Sequence, residues 1–380
     1  MNNNKKILIV TPFFYPAWSY GGPPRVMFDL CSCLVEDGYE VTVATTDVLD
    51  KNRCSKSEDA VNGIRIKYFK NASNTLAYKL KVFLPKGLKR YLKENIKNFD
   101  IVHIVDFRNS CTYYAYHECI EQNIPYIITP FGTMPYTNGL KGIVKRTIDK
   151  TWGIECLKKA RCVVVQTENE QTEAVKLGVA PEKISLIPLM IDAKKFRIDT
   201  DTNVREKFSI PLSAKIILFV GRINEHKATD NMLLSAAKLI NENPTHDFRL
   251  LIVGRDDGYE NQLRKLSKQL KIEGKIIFAG PVFYPDTVAI YKSSDVFFMA
   301  PTHFEETSTA SLEALASGIP VVVTKQADIP FFDKYKAGFI VENNIEELAT
   351  ALEKVLINDD YRKKDCVNII EDHFDLKSIE

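Results

Sequence analysis

No apolar run in the 380-residue chain approaches the roughly 18 residues that a bilayer span requires. The first one, residues 7–10, stops at Thr11-Pro12 and is too short for the core of a secretory signal. A soluble, cytoplasmic protein is expected, at most peripheral to the inner face of the cell membrane. The eight cysteines (31, 33, 54, 111, 119, 156, 162 and 366) include no CxxC pair and no Cys/His cluster at zinc spacing. Reduced, partly buried thiols are expected instead. Neither half contains a GxGxxG turn, which argues against a nicotinamide dinucleotide site. No low-complexity segment and no short repeat interrupts the chain. Charge of one sign is also missing overall, at net +2. The halves differ, however: residues 1–195 hold 28 Lys/Arg against 20 Asp/Glu, and residues 196–380 hold 23 against 29. The basic half fits either an anionic surface or substrate, or ordinary solvated charge.

What is present is an alternation of strand and helix patterns. Residues 7–10 form a continuous apolar run, read as a buried parallel strand. Pro23 and Pro24 suit a helix start, and Val26, Met27, Leu30 and Leu34 recur at helical spacing up to Gly38. "YEVTVAT" is the next strand, completing a βαβ unit. Further strands are predicted at 64–69, 101–105, 125–129 and 162–166. The pattern restarts at "KIILFVGR", 215–222. Helices are predicted at 229–242, 259–271, 285–292 and 308–317, with strands at 248–254, 275–280, 295–301 and 320–324. Such alternation predicts an α/β fold of two Rossmann-like, doubly wound domains facing each other across a cleft. The expected division is an acceptor-binding domain over 1–190 and a donor domain over 191–360, with 361–380 returning to the first domain.

Reactive side chains gather where strands end. In "VGRINEHK", 220–227, Arg222 leaves a strand through Gly221, and Lys227 follows at the next helix start. Two cations there suit a diphosphate and the charge that develops on a phosphate leaving group. In "FEETSTASLEALASGIPVVV", Thr307 or Ser308 would cap a helix whose first turn is made of small residues. Its free amides would form an anion site, and Glu313 would accept hydrogen bonds from a ribose diol. Glu305, just ahead of that turn, would project into the cleft. Gly21-Gly22 would either let backbone approach a ligand or serve as a plain flexible loop.

Together with "GGPPRVMFDLCSCLVEDGYEVTVAT", "DIVHIVDF" and "QTENE", these segments resemble the retaining nucleotide-sugar glycosyltransferases of the GT-B fold, family 4, over nearly the whole chain. The resemblance implies that Arg222 and Lys227 hold the donor diphosphate, Glu305 contacts the donor sugar and Glu313 holds the ribose. It further implies that Thr307, Ser308 and Thr309 give amides to the phosphate, that Phe278 to Val282 meet the base, and that no metal or other cofactor is needed. A UDP-sugar is favoured over a GDP-sugar. The chain departs from the family pattern at Glu306-Thr307-Ser308, where Gly-Phe-Gly is usual, and at Ala228, Leu189-Met190 and Val105. On the acceptor side, Asp106 follows Val105, and His103 reads equally as a satisfied structural residue or an acceptor contact.

Other readings use the same residues differently. The "DTD" at 199–201 follows no apolar strand and reads as a solvated loop rather than a metal-binding pair. A nucleotide-sugar 2-epimerase shares the two-domain fold, and a non-catalytic sugar-nucleotide sensor would need the donor clamp alone. Residues 76–99 carry Lys79, Lys81, Lys86, Lys89, Arg90, Lys93 and Lys97 against Glu94. After Pro85, the residues Leu88, Tyr91, Leu92, Ile96 and Phe99 share one helical face. The segment is either a surface helix packed on its own domain or a basic face resting on an anionic membrane. The second reading places a saccharide or lipid-linked saccharide acceptor there, in surface glycan or polysaccharide assembly.

Overall fold

A computed structural model describes residues 5–50, 52–136, 139–227, 229–302, 307–327 and 329–376, without the side chains of His226 and Thr229. The chain forms two compact units, Met1–Leu189 and Met190–Glu380. In the first, eight strands build one sheet: β1 (Lys6–Val10), β2 (Glu40–Thr46), β3 (Glu58–Val61), β4 (Ile64–Phe69), β5 (Ile101–Val105), β6 (Tyr126–Thr129), β7 (Cys162–Val165) and β8 (Ile184–Leu186). Their order is β3-β4-β2-β1-β5-β6-β7-β8, and every pair except β3–β4 is parallel. Strand alternation explains why β1 reads as one apolar run: Leu8 and Val10 enter a core on one face, Ile7 and Ile9 a core on the other.

The second unit holds six parallel strands: β9 (Lys215–Val220), β10 (Phe248–Val253), β11 (Ile276–Gly280), β12 (Val296–Met299), β13 (Val321–Thr324) and β14 (Gly338–Val341). They lie in the order β11-β10-β9-β12-β13-β14. The α/β class with parallel sheets is therefore as the sequence predicts. The helices Thr229–Glu242, Glu260–Gln269, Asp286–Lys292 and Thr309–Ala316 fall within about two residues of their predicted limits, the usual scatter at helix ends. The helix Lys363–His373 packs on the helix Thr309–Ala316 of its own unit.

One feature differs from the sequence reading, and a second matches one of its two alternatives. β3 and β4 form a hairpin through Asn62 and Gly63, both in left-handed backbone, an Asn-Gly signal in plain view. Residues 76–99 divide into the helices Asn74–Leu80 and Leu88–Asn95 with a bare connection between them. The apolar face of the second helix is spent on its own unit, where Leu88, Leu92 and Ile96 are fully buried. Among the described residues no helix is long and apolar enough to cross a membrane.

Candidate functional site

Each sheet has a switch point where the chain turns from building one side to building the other: β1/β5 in the first, β9/β12 in the second. Open α/β sheets leave a crevice there, beyond the carboxyl ends of the strands. Arg222 leaves β9 on one side of the second switch point, and the segment leading to Glu313 leaves β12 on the other.

Glycine makes the carboxyl edge of β11, β10 and β9 bare. Gly221 N–H donates to Val253 and Gly254 N–H to Gly280, so three glycines line adjacent strand ends. Gly254 is in positive φ, and a Cβ there would fall on the Gly221 carbonyl, so no other residue fits without moving backbone. Beyond this edge Ile223 N–H donates to the Arg255 carbonyl at 2.9 Å and Asp257 N–H to the Ile223 carbonyl at 3.0 Å. The crossing sets Asp257 between two cations, 2.8 Å from Arg255 Nε and 3.4 Å from Arg222 Nη1. Arg222 keeps nearly half of its side-chain surface exposed. Lys227, half-buried, closes the short turn Glu225–Lys227, whose start is fixed by Asn224 Oδ1 accepting from Lys227 N–H at 3.1 Å.

The helix Thr309–Ala316 enters the sheet edge with residues Ala310 to Ala316 all buried. Its N-cap, Ser308, makes no side-chain hydrogen bond to the first turn. Beside it the hydroxyls of Thr307 and Ser311 are buried with no hydrogen-bond partner among the described residues. A half-buried helix start with buried polar groups left over beside it is what an anionic ligand would satisfy. One and a half turns in, Glu313 is buried and its Oε2 accepts a 2.7 Å hydrogen bond from the Tyr291 hydroxyl. The approach is anchored too: the Pro301 carbonyl accepts from Asn343 Nδ2 at 2.8 Å and Thr324 Oγ1 at 3.1 Å. Glu305 and Glu306 lie outside the described residues, as does Ala228. Phe278 on β11 is half-buried beneath the Arg264 guanidinium, 4.2 Å above its ring, and Val282 follows in the next loop. Gly254, Asp257, Tyr291 and Asn343 were not singled out from sequence. Only Gly254 carried a local signal, as the middle one of three successive strands that end in glycine.

In the first unit Gly21 has positive φ with open space where a Cβ would stand, and Gly22 opens the helix Gly22–Glu36. Both follow β1. Across the switch point Asp106 follows β5 in left-handed backbone, its Oδ1 accepting from Phe107 N–H at 2.6 Å. Burial pushes its carboxyl up to about 6. His103 lies inside the sheet, its Nε2 2.8 Å from Thr129 Oγ1 on β6, and burial lowers it to about 4, so it is neutral at ordinary pH. The loop after β6 is fixed from three sides. Arg108 donates to the carbonyls of Thr133 (2.6 Å) and Met134 (2.8 Å) while pairing with buried Asp149 through two bonds of 2.8 and 2.7 Å. Lys145 donates to Pro135, and Glu170 accepts from Gly132 N–H at 2.8 Å. Asp199 and Asp201 sit on an open connection, Asp199 3.6 Å from Lys292. Among the described residues no three His, Cys, Asp or Glu side chains are placed to share a metal ion.

Two doubly wound units, each with groups at its own switch point, define a protein of paired Rossmann-like domains. The family "Glycosyl transferases group 1" matches residues 200–371 and "Glycosyltransferase Family 4" matches residues 20–195. The chain belongs to the group 1, family 4 glycosyltransferases of the GT-B fold. It is similar to the D-inositol 3-phosphate glycosyltransferase of Corynebacterium aurimucosum, at 27% identity over 60% of this chain and 58% of that protein. The chain spans about half the length of the curated relatives it matches first. An uncharacterized glycosyltransferase of Methanocaldococcus jannaschii matches at 22% identity over 94% of this chain and 90% of that protein. Among solved structures, Anabaena HepE in complex with UDP and glucose superposes with a TM-score of 0.75 at 15% identity, covering 99% of this chain and 97% of that one. Sucrose-phosphate synthase from Thermosynechococcus elongatus gives 0.76 at 16% identity, covering 99% and 96%. At these identities the superpositions establish the fold.

Proposed function

We propose that the protein transfers a glycosyl residue from a nucleoside diphosphate sugar to a hydroxyl, with retention at the anomeric carbon and without a metal. The observation that carries this reading is the second switch point. There Arg222, with Lys227 on the turn that follows it, and a half-buried, side-chain-uncapped helix start, with two buried hydroxyls that have no partner among the described residues, leave from neighbouring strands. Such a set suits a diphosphate. Glu313 takes the ribose hydroxyls, Phe278 and Val282 border the base, and Gly21 and Gly22 are assigned to donor binding through their backbone. Asp106 meets the acceptor, with His103 holding the strand beneath it.

In the reaction the bond from the anomeric carbon to the β-phosphate oxygen breaks. Arg222, Lys227 and the amides of Thr307, Ser308 and Thr309 take up the charge left on the diphosphate. Glu305 orients the donor sugar and favours its oxocarbenium-like transition state. The acceptor oxygen bonds to the same face of the sugar, and its proton passes to the leaving phosphate. The HepE complexes contain UDP and UDP-glucose, which supports a UDP-sugar as donor. The acceptor is a saccharide or lipid-linked saccharide at the inner face of the membrane, in surface glycan assembly. Incubation with UDP-sugars and polyprenyl-linked or free saccharides in EDTA should give a product whose anomeric NMR signals match those of the donor. An inverted product would contradict retention. Conversion of the UDP-sugar alone into its C2 epimer would instead favour an epimerase.

A further inference from the structure

The helix Gly139–Ile148 is inside out. Only Gly142 is buried, whereas Leu140, Ile143 and Val144 are 82%, 58% and 57% exposed. The inward side holds a cation: Lys145 is half-buried, its Nζ donating to the carbonyls of Thr133 (3.2 Å) and Pro135 (2.7 Å). A surface helix that only covers a core does the reverse. At 3.6 residues per turn Leu140, Ile143, Val144 and Thr147 share the outer face. Exposed Lys141, Arg146 and Lys150 border it, and the one acid of the segment, Asp149, is buried against Arg108.

A second apolar group stands nearby in the fold. At the end of the helix Asn74–Leu80 and in the connection to Leu88–Asn95 the side chains of Leu80, Val82 and Leu84 are exposed, alongside Lys79 and Lys86. Both segments are tied to the stretch that follows β5: the Phe83 carbonyl accepts from Ser110 Oγ, and the Thr133 carbonyl accepts from both Arg108 Nη1 (2.6 Å) and Lys145 Nζ (3.2 Å). Exposed apolar patches rimmed by charge mark interaction surfaces, and here the rim is basic.

We propose that the outer face of Gly139–Ile148, with residues 80–84 beside it, lies on an anionic lipid bilayer. Leu140, Ile143 and Val144 enter the boundary between headgroups and acyl chains, and Lys141, Arg146 and Lys150 meet the phosphates. This commits the membrane contact to a helix other than Leu88–Asn95, whose apolar face is already buried. It rests on the reading of the β5 exit as the acceptor side, which the contact would bring to the membrane. In-plane helices of this kind bind through buried apolar area together with attraction to acidic lipids.

The test is sedimentation of the full chain with phosphatidylcholine vesicles, with and without phosphatidylglycerol, at low and high salt. The wild type should pellet with the acidic vesicles, and high salt should weaken but not abolish binding. Leu140→Ser/Ile143→Ser/Val144→Ser should lower partitioning by about tenfold or more at either salt. Lys141→Glu/Arg146→Glu/Lys150→Glu should abolish the preference for acidic vesicles. Both changes are on exposed side chains, so far-UV circular dichroism and the response to UDP should match the wild type. Vesicle binding without any response to UDP would uphold the surface and count against the donor site. Wild type left in the supernatant, or a triple-serine variant that partitions like wild type, would overturn the proposal. A dimer dissolved by the serine substitutions, without vesicle binding, would also overturn it and assign the face to a second copy.

Discussion

The hydroxyl of Tyr291 donates a 2.7 Å hydrogen bond to Glu313 Oε2, tying the helix Asp286–Lys292 to the buried helix Thr309–Ala316. The Tyr291 ring is fully buried and meets Phe196 edge-on. Tyr291→Phe keeps that packing and removes one charge-directed donor. The expected loss is about 1.5–3 kcal/mol of folding stability. If Glu313 holds the ribose, nucleotide affinity should fall too, by several-fold to about tenfold. Urea unfolding and calorimetric titration with UDP read the two effects. An unchanged Kd beside reduced stability would mean that the bond serves packing alone.

Arg222 and Lys227 are expected to act on the transition state. Arg222→Ala and Lys227→Ala should each lower kcat/KM by about 2–4 kcal/mol on the correct donor. Arg222 is half exposed, so its removal should leave the unfolding temperature nearly unchanged. Near wild-type kcat/KM in both variants would remove the diphosphate clamp from the account.

Asp106 gives a pH signature. Burial raises its carboxyl from 3.8 to about 6, so the folded protein holds this proton more tightly than the unfolded chain. Its contribution to stability is fully present below about pH 4 and is lost as the pH rises through about 6. Asp106→Asn carries no charge at any pH. The variant should therefore gain stability relative to wild type between about pH 4.5 and about pH 8, measured by urea unfolding at both. An identical difference at the two pH values would contradict the burial of this carboxyl.

The fold was legible because both sheets, β3 apart, are parallel and buried on two faces, so strands such as residues 216–220 read as unbroken apolar runs. The placement of Arg222 was legible because it follows directly on a strand end, after Gly221. Tyr291 was not, because its partner lies 22 residues away on another helix and no local pattern marks the pair. Residues 139–148 show a different limit. Periodicity identifies an apolar face on a helix but not whether that face meets the core or the solvent. The same limit held for residues 88–96, where the apolar face turned inward. The Asn62-Gly63 hairpin was written in the sequence, but its first strand, β3, is short and polar, and only pairing with β4 makes it visible.

The central claim is that the carboxyl edge of β9 and β12 receives a nucleoside diphosphate without a metal. Thermal unfolding with UDP or GDP, in EDTA, measures it most directly. A ligand held at about 100 times its Kd adds about 2.7 kcal/mol of stability, so a clear rise in unfolding temperature is predicted for at least one nucleotide. The rise should shrink in Arg222→Ala. No shift with any nucleoside diphosphate, in protein that folds and melts normally, would contradict the account.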